Sequence, residues 1–409
     1  MMAKSFQRLV LCGMACLCTG GAHGIEPEDL LHYKIGNWHF RPHASTALTA
    51  NDNIFFRDSS AESETLFGPK EGDVITQLGT GFQAALGRND INTFGFGYDY
   101  LHRFYTDHSE VSSGDHAGQL AASIERGKVR FSTAHSASLK TGIQGGNTWL
   151  IGQNNRTLLN NQIRISVDIT PKSDLYVNGT YRMTDQSEDA AFARNSLFND
   201  IESWNVAGGY GFGYSEKLRF FAQTSYGEQI SSRSGRSWGW DTLGVSVGAE
   251  GEFTDKLTGM VQLGYQEQTS QITGDGGGTP TVSLELEQLL GRRTLLTLAY
   301  TRRNQVNIDA VNAASVSDSF RLNLSRALGH RQKWFASIFA SLWQNDFPDI
   351  DRSDQALSLG TSLDYRIQEW MSAQLSYSYA DFSAQLPGWA LGGIDYQVNQ
   401  VSLSLSFGF

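Results

Sequence analysis

The chain has 409 residues, 43 of them glycine and only 7 proline, with aromatics at 11 % and a formal net charge of −10. That acidity argues against nucleic acid as a partner. All three cysteines, Cys12, Cys16 and Cys18, lie near the start, so the remainder of the chain offers neither disulfides nor thiolate metal ligands.

Those cysteines fall in an export signal. Lys4 and Arg8 form a short basic region, Leu9 to Cys18 an apolar run, and Ala22-His23-Gly24 an A-x-A-like cleavage site that leaves Ile25 as the first mature residue. The run is far short of the ~20 apolar residues a spanning helix needs. Neither Cys16 nor Cys18 is preceded by the Leu at minus three that a lipoprotein signal wants. The expected organisation is a signal peptide over 1–24, a short polar lead-in over 25–37, and one β domain over 38–409. No apolar stretch after Ile25 is long enough for a membrane helix, but alternating strands can cross a membrane with that profile.

The first strand is expected over Trp38–Ala50, with Pro42 near a strand end or distortion; Asn51-Asp52-Asn53 ends it and a polar loop runs through Gly72. From Asp73 a period of two is plain. Val74, Thr76, Leu78, Thr80, Phe82, Ala84 and Leu86 alternate with Ile75, Gln77, Gly79, Gly81, Gln83 and Ala85, Gly87-Arg88-Asn89-Asp90 reverses the chain, and Phe94, Phe96, Tyr98, Tyr100 and His102 mark the return. This is a hairpin unit. It recurs through turns at Glu125–Lys128, Pro171–Asp174, Ser215–Lys217, Thr254–Lys256, Gly291–Arg293, Gly329–Gln332 and Gln368-Glu369. The last strand, Tyr396–Phe409, carries Val401, Leu403, Leu405, Phe407 and Phe409 on one face and Ser402, Ser404 and Ser406 on the other. The first and last strands bring the count to about 18, an even number within the range of bacterial barrels.

Turns within hairpins are short. The links between them are long and polar: Thr141–Arg156, Asp185–Asp200, Glu228–Arg236, Glu267–Pro280, Arg303–Ser317, Gln344–Ser353 and Ala380–Gly393. This asymmetry, with tyrosines near strand ends, predicts an all-β, transmembrane antiparallel up-and-down barrel with short periplasmic turns and long extracellular loops. The chain then ends on an aromatic insertion signal, Phe407 and Phe409, read by the barrel insertion machinery.

With the apolar face toward lipid, the other face lines the lumen. It offers Arg103, Arg130, Arg164, Arg182, Arg219, Arg321 and Arg366 against Asp99, Glu125, Asp168, Glu285, Glu287 and Asp364, with Gln77, Gln223, Gln262 and Asn323 among the neutral positions. The signs nearly balance, which argues against strong anion or cation selectivity. Either the charges pair across strands and stiffen the wall, or they present a polar surface to a hydrated, weakly charged solute such as a glycan. An inward-folding constriction loop with clustered acids is not recognisable.

No catalytic, metal or cofactor site is expected. His102, His116, His135 and His330 are scattered, with no Ser or Asp in a nucleophile motif. The glycines of Gly208–Gly213 lie in an alternating strand with no helix to follow, which excludes a dinucleotide site; they suit a crowded lumen or an aromatic neighbour. Gly274–Gly278 has too few carboxylates for calcium and reads as a loop tip.

The exit from the first strand, Arg41–Phe56 with Asp52-Asn53-Ile54-Phe55, resembles the opening of the β-barrel porins associated with exopolysaccharide operons, the EpsL-like outer-membrane β-barrel proteins. That resemblance implies a pore for polymer export across the outer membrane, with periplasmic polysaccharide-export proteins and a glycan as partners. The competing expectations are a general small-solute porin and a structural or adhesive barrel that binds a partner through its outer loops.

Overall fold

A computed structural model describes residues 33–57, 69–86, 92–144, 152–188, 200–233, 236–306, 314–329, 332–347, 352–385 and 394–408. Residues 1–24, expected as an export signal, residues 25–32 of the expected lead-in, the expected Gly87–Asp90 turn, His330 and Phe409 lie outside the described residues.

The chain is a succession of antiparallel strands. First come β1 (Tyr33–Ile35), β2 (Trp38–Asn51), β3 (Asp73–Leu86), β4 (Thr93–Tyr105), β5 (Ser113–Arg126) and β6 (Val129–Gln144). Next are β7 (Gly152–Thr170), β8 (Ser173–Glu188), β9 (Asp200–Gly213), β10 (Leu218–Arg233), β11 (Arg236–Thr254) and β12 (Leu257–Ser270). The rest are β13 (Gly276–Leu289), β14 (Thr294–Val306), β15 (Ala314–Leu328), β16 (Trp334–Phe347), β17 (Arg352–Gln368), β18 (Met371–Gln385) and β19 (Ile394–Gly408). Each pairs with its neighbour in sequence, and β19 returns to β2 from Gln400↔Asn51 to Gly408↔His43. The 18 strands β2–β19 therefore close into an up-and-down barrel without a free edge, each strand pairing with a neighbour on both sides. β1 folds back on the foot of β2 through Gly36, at φ 64°, so the lead-in ends in a small hairpin rather than in unstructured chain. Among the described residues, no helix is long and apolar enough to cross a membrane.

Register decides which side chains share a face. Leu48↔Leu403, Val247↔Leu263 and Leu324↔Ile338 lie on one side, with Val247 and Ile338 each 60 % exposed. A continuous outward surface of this kind is stable against hydrocarbon, not water. Aromatics bracket it. Trp38, Phe94, Trp334, Trp370 and Phe407 ring the short-turn end, and Tyr181, Trp204, Tyr226, Tyr265 and Tyr300 ring the loop end. The loop-end rings point polar atoms at polar partners: Tyr181 OH donates to Glu202 (3.0 Å), Trp204 Nε1 to Glu228 (3.1 Å) and Tyr300 OH to Asp318 (2.6 Å). Roughly eight residues of tilted strand separate the two rings, a band of about 20 Å and close to the apolar height of such barrels.

The strands run further on the loop side than alternation predicts. Thr141–Gln144, Arg156, Arg303–Val306 and Gly276–Gly278 are ladder residues, not loop, and the link after β12 shrinks to residues 271–275. Beyond the aromatic ring both faces are polar, so the apolar signal stops while backbone pairing continues. At the other end Asp174 is also in a strand, the turn being Pro171-Lys172.

Candidate transport path

The register sets every predicted wall charge opposite the apolar surface, but at different heights. Arg130, Arg219 and Arg366, with Glu125, Asp168, Glu285, Glu287 and Asp364, lie within four residues of a short turn. Asp99, Arg103, Arg164, Arg182 and Arg321 lie further up the wall.

The turn-side layer is cross-braced. Arg130 Nη2 donates to Asp168 Oδ1 at 2.5 Å. Arg219 reaches across β9 to grip Asp174 with Nε (3.1 Å) and Nη2 (2.8 Å), while Nη1 donates to Glu250. The planar guanidinium fork suits such bidentate pairing. Gly211 lies beneath that guanidinium and Gly209 beneath the Tyr176 ring, where any Cβ would collide; Tyr176 OH thereby reaches Gln223 Oε1 at 3.0 Å. Asp364 accepts from Gln374 (2.7 Å) and Ser362 (3.1 Å). Asp174 and Glu250 were invisible as wall carboxylates in the sequence, one lying in an expected turn and the other beside one.

Higher up, Asp99 is met by His43 Nε2 at 2.6 Å, Asp115 by Arg103 at 2.8 Å, and the Arg164 guanidinium lies 4.4 Å from the Tyr176 ring. Arg182 and Arg321 are exposed, as is Arg303, and none of the three makes an ion pair among the described residues. Arg156 and Arg303 join the wall although they read as loop edges. Their parity with Arg164 and Thr301 was the available clue.

The first loop turns inward. Asn53 is fully buried: its Nδ2 donates to Gln397 O (2.9 Å) and Arg57 O (2.8 Å), and its Oδ1 accepts from Arg57 N (2.9 Å). Ile54, 3 % exposed, donates its N–H to Glu71 O. Phe56 then packs on an inner-face apolar cluster of Ala356, Phe382, Ala384, Tyr396 and Val398, with its ring centroid 5.5 Å from that of Tyr396. The Asp52–Phe56 segment is thus an inward-seated knot, where the sequence suggested only a strand exit.

The knot is latched to the next loop. His108 Nε2 meets Glu71 at 2.8 Å and its Nδ1 meets Asp73 at 3.1 Å, the Phe55 ring lies edge-on to it, and Arg57 pairs with Glu71 at 2.6 Å. Burial pushes His108 down, but its hydrogen bonds and charge contacts to Glu71 and Asp73 outweigh this and hold it above its ordinary value. Burial likewise pushes Glu71 up, and hydrogen bonds from His108 and Arg57 bring it below the usual carboxylate range.

Inner-facing aromatics recur every fourth residue along β16: Phe335, Phe339, Trp343 and Phe347. Phe339 is 38 % exposed, lying over Gly360; Phe347 is buried under Arg352, whose guanidinium is 4.7 Å from the ring. A hollow around Gly208 and Thr224, rimmed by Ile165, Val177 and Val245, is on the outer apolar surface and belongs to the lipid-facing wall. No group of His, Cys, Asp and Glu able to hold a metal occurs among the described residues.

A closed antiparallel barrel, apolar outside and polar within, has the outer-membrane barrel fold. Residues 221–409, from β10 to the last residue, match the family described as "Putative beta-barrel porin 2", so this stretch carries the sequence pattern of a β-barrel porin family. No curated protein matches the sequence. Solved structures with similar architecture include the siderophore receptor PirA from Pseudomonas aeruginosa (12 % identity, TM-score 0.43, covering 90 % of this chain and 80 % of that one). The FrpB iron transporter from Neisseria meningitidis (9 %, 0.45, 94 % and 83 %) and OccAB4 from Acinetobacter baumannii (8 %, 0.42, 90 % and 98 %) are two more. Nothing about their cargo transfers at these values.

Proposed function

We propose that the protein is an outer-membrane channel, with exopolysaccharide as the cargo moving outward through the lumen. The observation that carries this reading is the closed 18-strand wall with a polar inner face, a size at which barrels enclose an aqueous path. The glycan reading is supported by the exposed lumenal ring of Phe339 on β16, set among the hydroxyls of Ser337, Ser341 and Ser362. Flat aromatic faces complement the C–H faces of sugar rings, and the hydroxyls around them can exchange hydrogen bonds with a hydrated polymer. The resemblance of Arg41–Phe56 to porins of exopolysaccharide operons supports the same reading. In it, residues 1–24 direct export, Phe407 and Phe409 address the insertion machinery, lipid surrounds the apolar band, and periplasmic export proteins deliver polymer to the short-turn end. No catalytic role is assigned.

Two measurements test this. Purified protein in planar bilayers should give stable single-channel currents. In a clean deletion strain, polymer should vanish from the surface while permeability to small antibiotics stays normal. Unchanged surface polymer with altered small-solute uptake would replace the export reading with a diffusion porin.

A further inference from the structure

The charges that balance in number along the inner wall do not balance in space. Carboxylates gather in the turn-side layer, where Asp168 is held by Arg130 and both Asp174 and Glu250 by Arg219. At mid-height the lumen holds Lys140, Arg182, Arg303 and Arg321, while the carboxylates at that level, Asp99 and Asp115, are engaged by His43 and Arg103. Arg182 on β8 and Arg303 on β14 stand on walls six strands apart, each on the inner face and each the tenth residue of its strand counted from the short turn. Arg303 is solvent-exposed on the inner face of β14. Lys140 and Arg156 stand directly opposite one another on the inner face of β6 and β7, a like-charge pairing that weakens a sheet. Arg156 Nε is also buried without a hydrogen-bond partner.

Pairing along the wall, as in the turn-side layer, would have been the stabilising arrangement. We infer that Arg182, Arg303 and Arg321 form a cationic collar across the lumen and that the cargo is an anionic glycan bearing carboxylates. The inference rests on the pore reading above and narrows its substrate. Each guanidinium presents a donor fork that matches a carboxylate and cannot lose its charge. Because the collar is wet, each contact is weak enough to be exchanged as a chain passes, which conduction requires. Of the turn-side carboxylates, Asp168, Asp174 and Glu250 are spent on neighbouring arginines of the same wall, while Glu125, Glu285, Glu287 and Asp364 make no ion pair among the described residues and lie nearer the short turns than the collar.

The test uses the full-length protein in planar bilayers under a KCl gradient, compared with an Arg182→Gln/Arg303→Gln/Arg321→Gln triple variant. A matching triple Arg→Lys variant separates charge from folding. The native channel should favour chloride, the lysine variant should keep that preference, and the glutamine variant should lose it, the permeability ratio falling roughly threefold or more. Oligogalacturonate should block the native current more strongly than a neutral dextran oligomer of equal length, with the difference lost in the glutamine variant. A conducting pore with no chloride preference, a preference unchanged by the glutamine substitutions, or equal block by both oligomers would overturn the collar while leaving the pore standing. A folded barrel that passes no current would overturn both.

Discussion

Asn53→Ala is the sharpest perturbation of the inward knot. The side chain is wholly buried and makes three hydrogen bonds, to Gln397 O, Arg57 O and Arg57 N. At about 1 kcal/mol each, with some of the freed groups recovering water, their loss should cost the docked loop about 2–4 kcal/mol. The loop has little reserve, because Phe56 is held at φ 53°, a left-handed backbone that costs a non-glycine residue about 1–2 kcal/mol. Contacts of its ring with Tyr396 and the cluster beneath must offset that. The barrel ladder is untouched, so the effect should be local. Amide exchange at Ile54 and Arg57 should accelerate by about 30- to 1000-fold, with strand amides of β18 unchanged, since 1.4 kcal/mol corresponds to a factor of ten. Single-channel conductance should rise as Phe56 leaves the lumen. Unaltered exchange at Ile54 and Arg57 would refute the idea that Asn53 seats the loop, and faster exchange with unchanged conductance would refute the idea that the loop narrows the path.

The His108 latch predicts a pH window. Both ring nitrogens face carboxylates, so both must carry protons. Because His108 is raised, its contribution is complete below the ordinary histidine range, about 6.5, and is lost as pH rises through the higher folded value. Because Glu71 is lowered, its contribution is present above the ordinary carboxylate range, about 4.3, and is lost as pH falls through the lower folded value. Exchange protection of Ile54 and Val111, corrected for intrinsic rates, should be greatest between those limits; in His108→Ala the loss on the alkaline side should disappear while the acid limb, which Arg57 also sustains, remains, and an alkaline loss surviving in the variant would contradict the latch. The two faces of the wall should respond oppositely to charge. Val247→Arg, at an outward position 60 % exposed, should cost about 2–4 kcal/mol in folding into lipid vesicles, whereas Ser283→Arg on the inner face should stay within about 0.5 kcal/mol. Equal costs at the two positions would mean that the outer and inner faces are misassigned.

Much of the architecture is readable without coordinates because strand alternation is a local property. Val74 through Leu86 and Phe94 through His102 announce a hairpin, and the inner and outer faces follow from parity alone. The wall charges from Asp99 to Asp364 could be assigned to one face in this way. Their grouping could not. Arg303 and Arg156 were hidden because hydrophobic contrast fades above the aromatic ring, although the ladder does not. Asp174 and Glu250 become partners of Arg219 only because Gly211 leaves room for a side chain to cross an intervening strand. The inward seat of Asn53 depends on Gln397 O, at the other end of the chain, brought close by closure of β19 on β2. What the sequence determined by itself is the period of two and hence the faces. The heights of charges around the bore, and the gathering of Arg182, Arg303 and Arg321 from separate strands onto one inner face, were decided by closure and register, because only a closed wall turns those strands toward a common lumen.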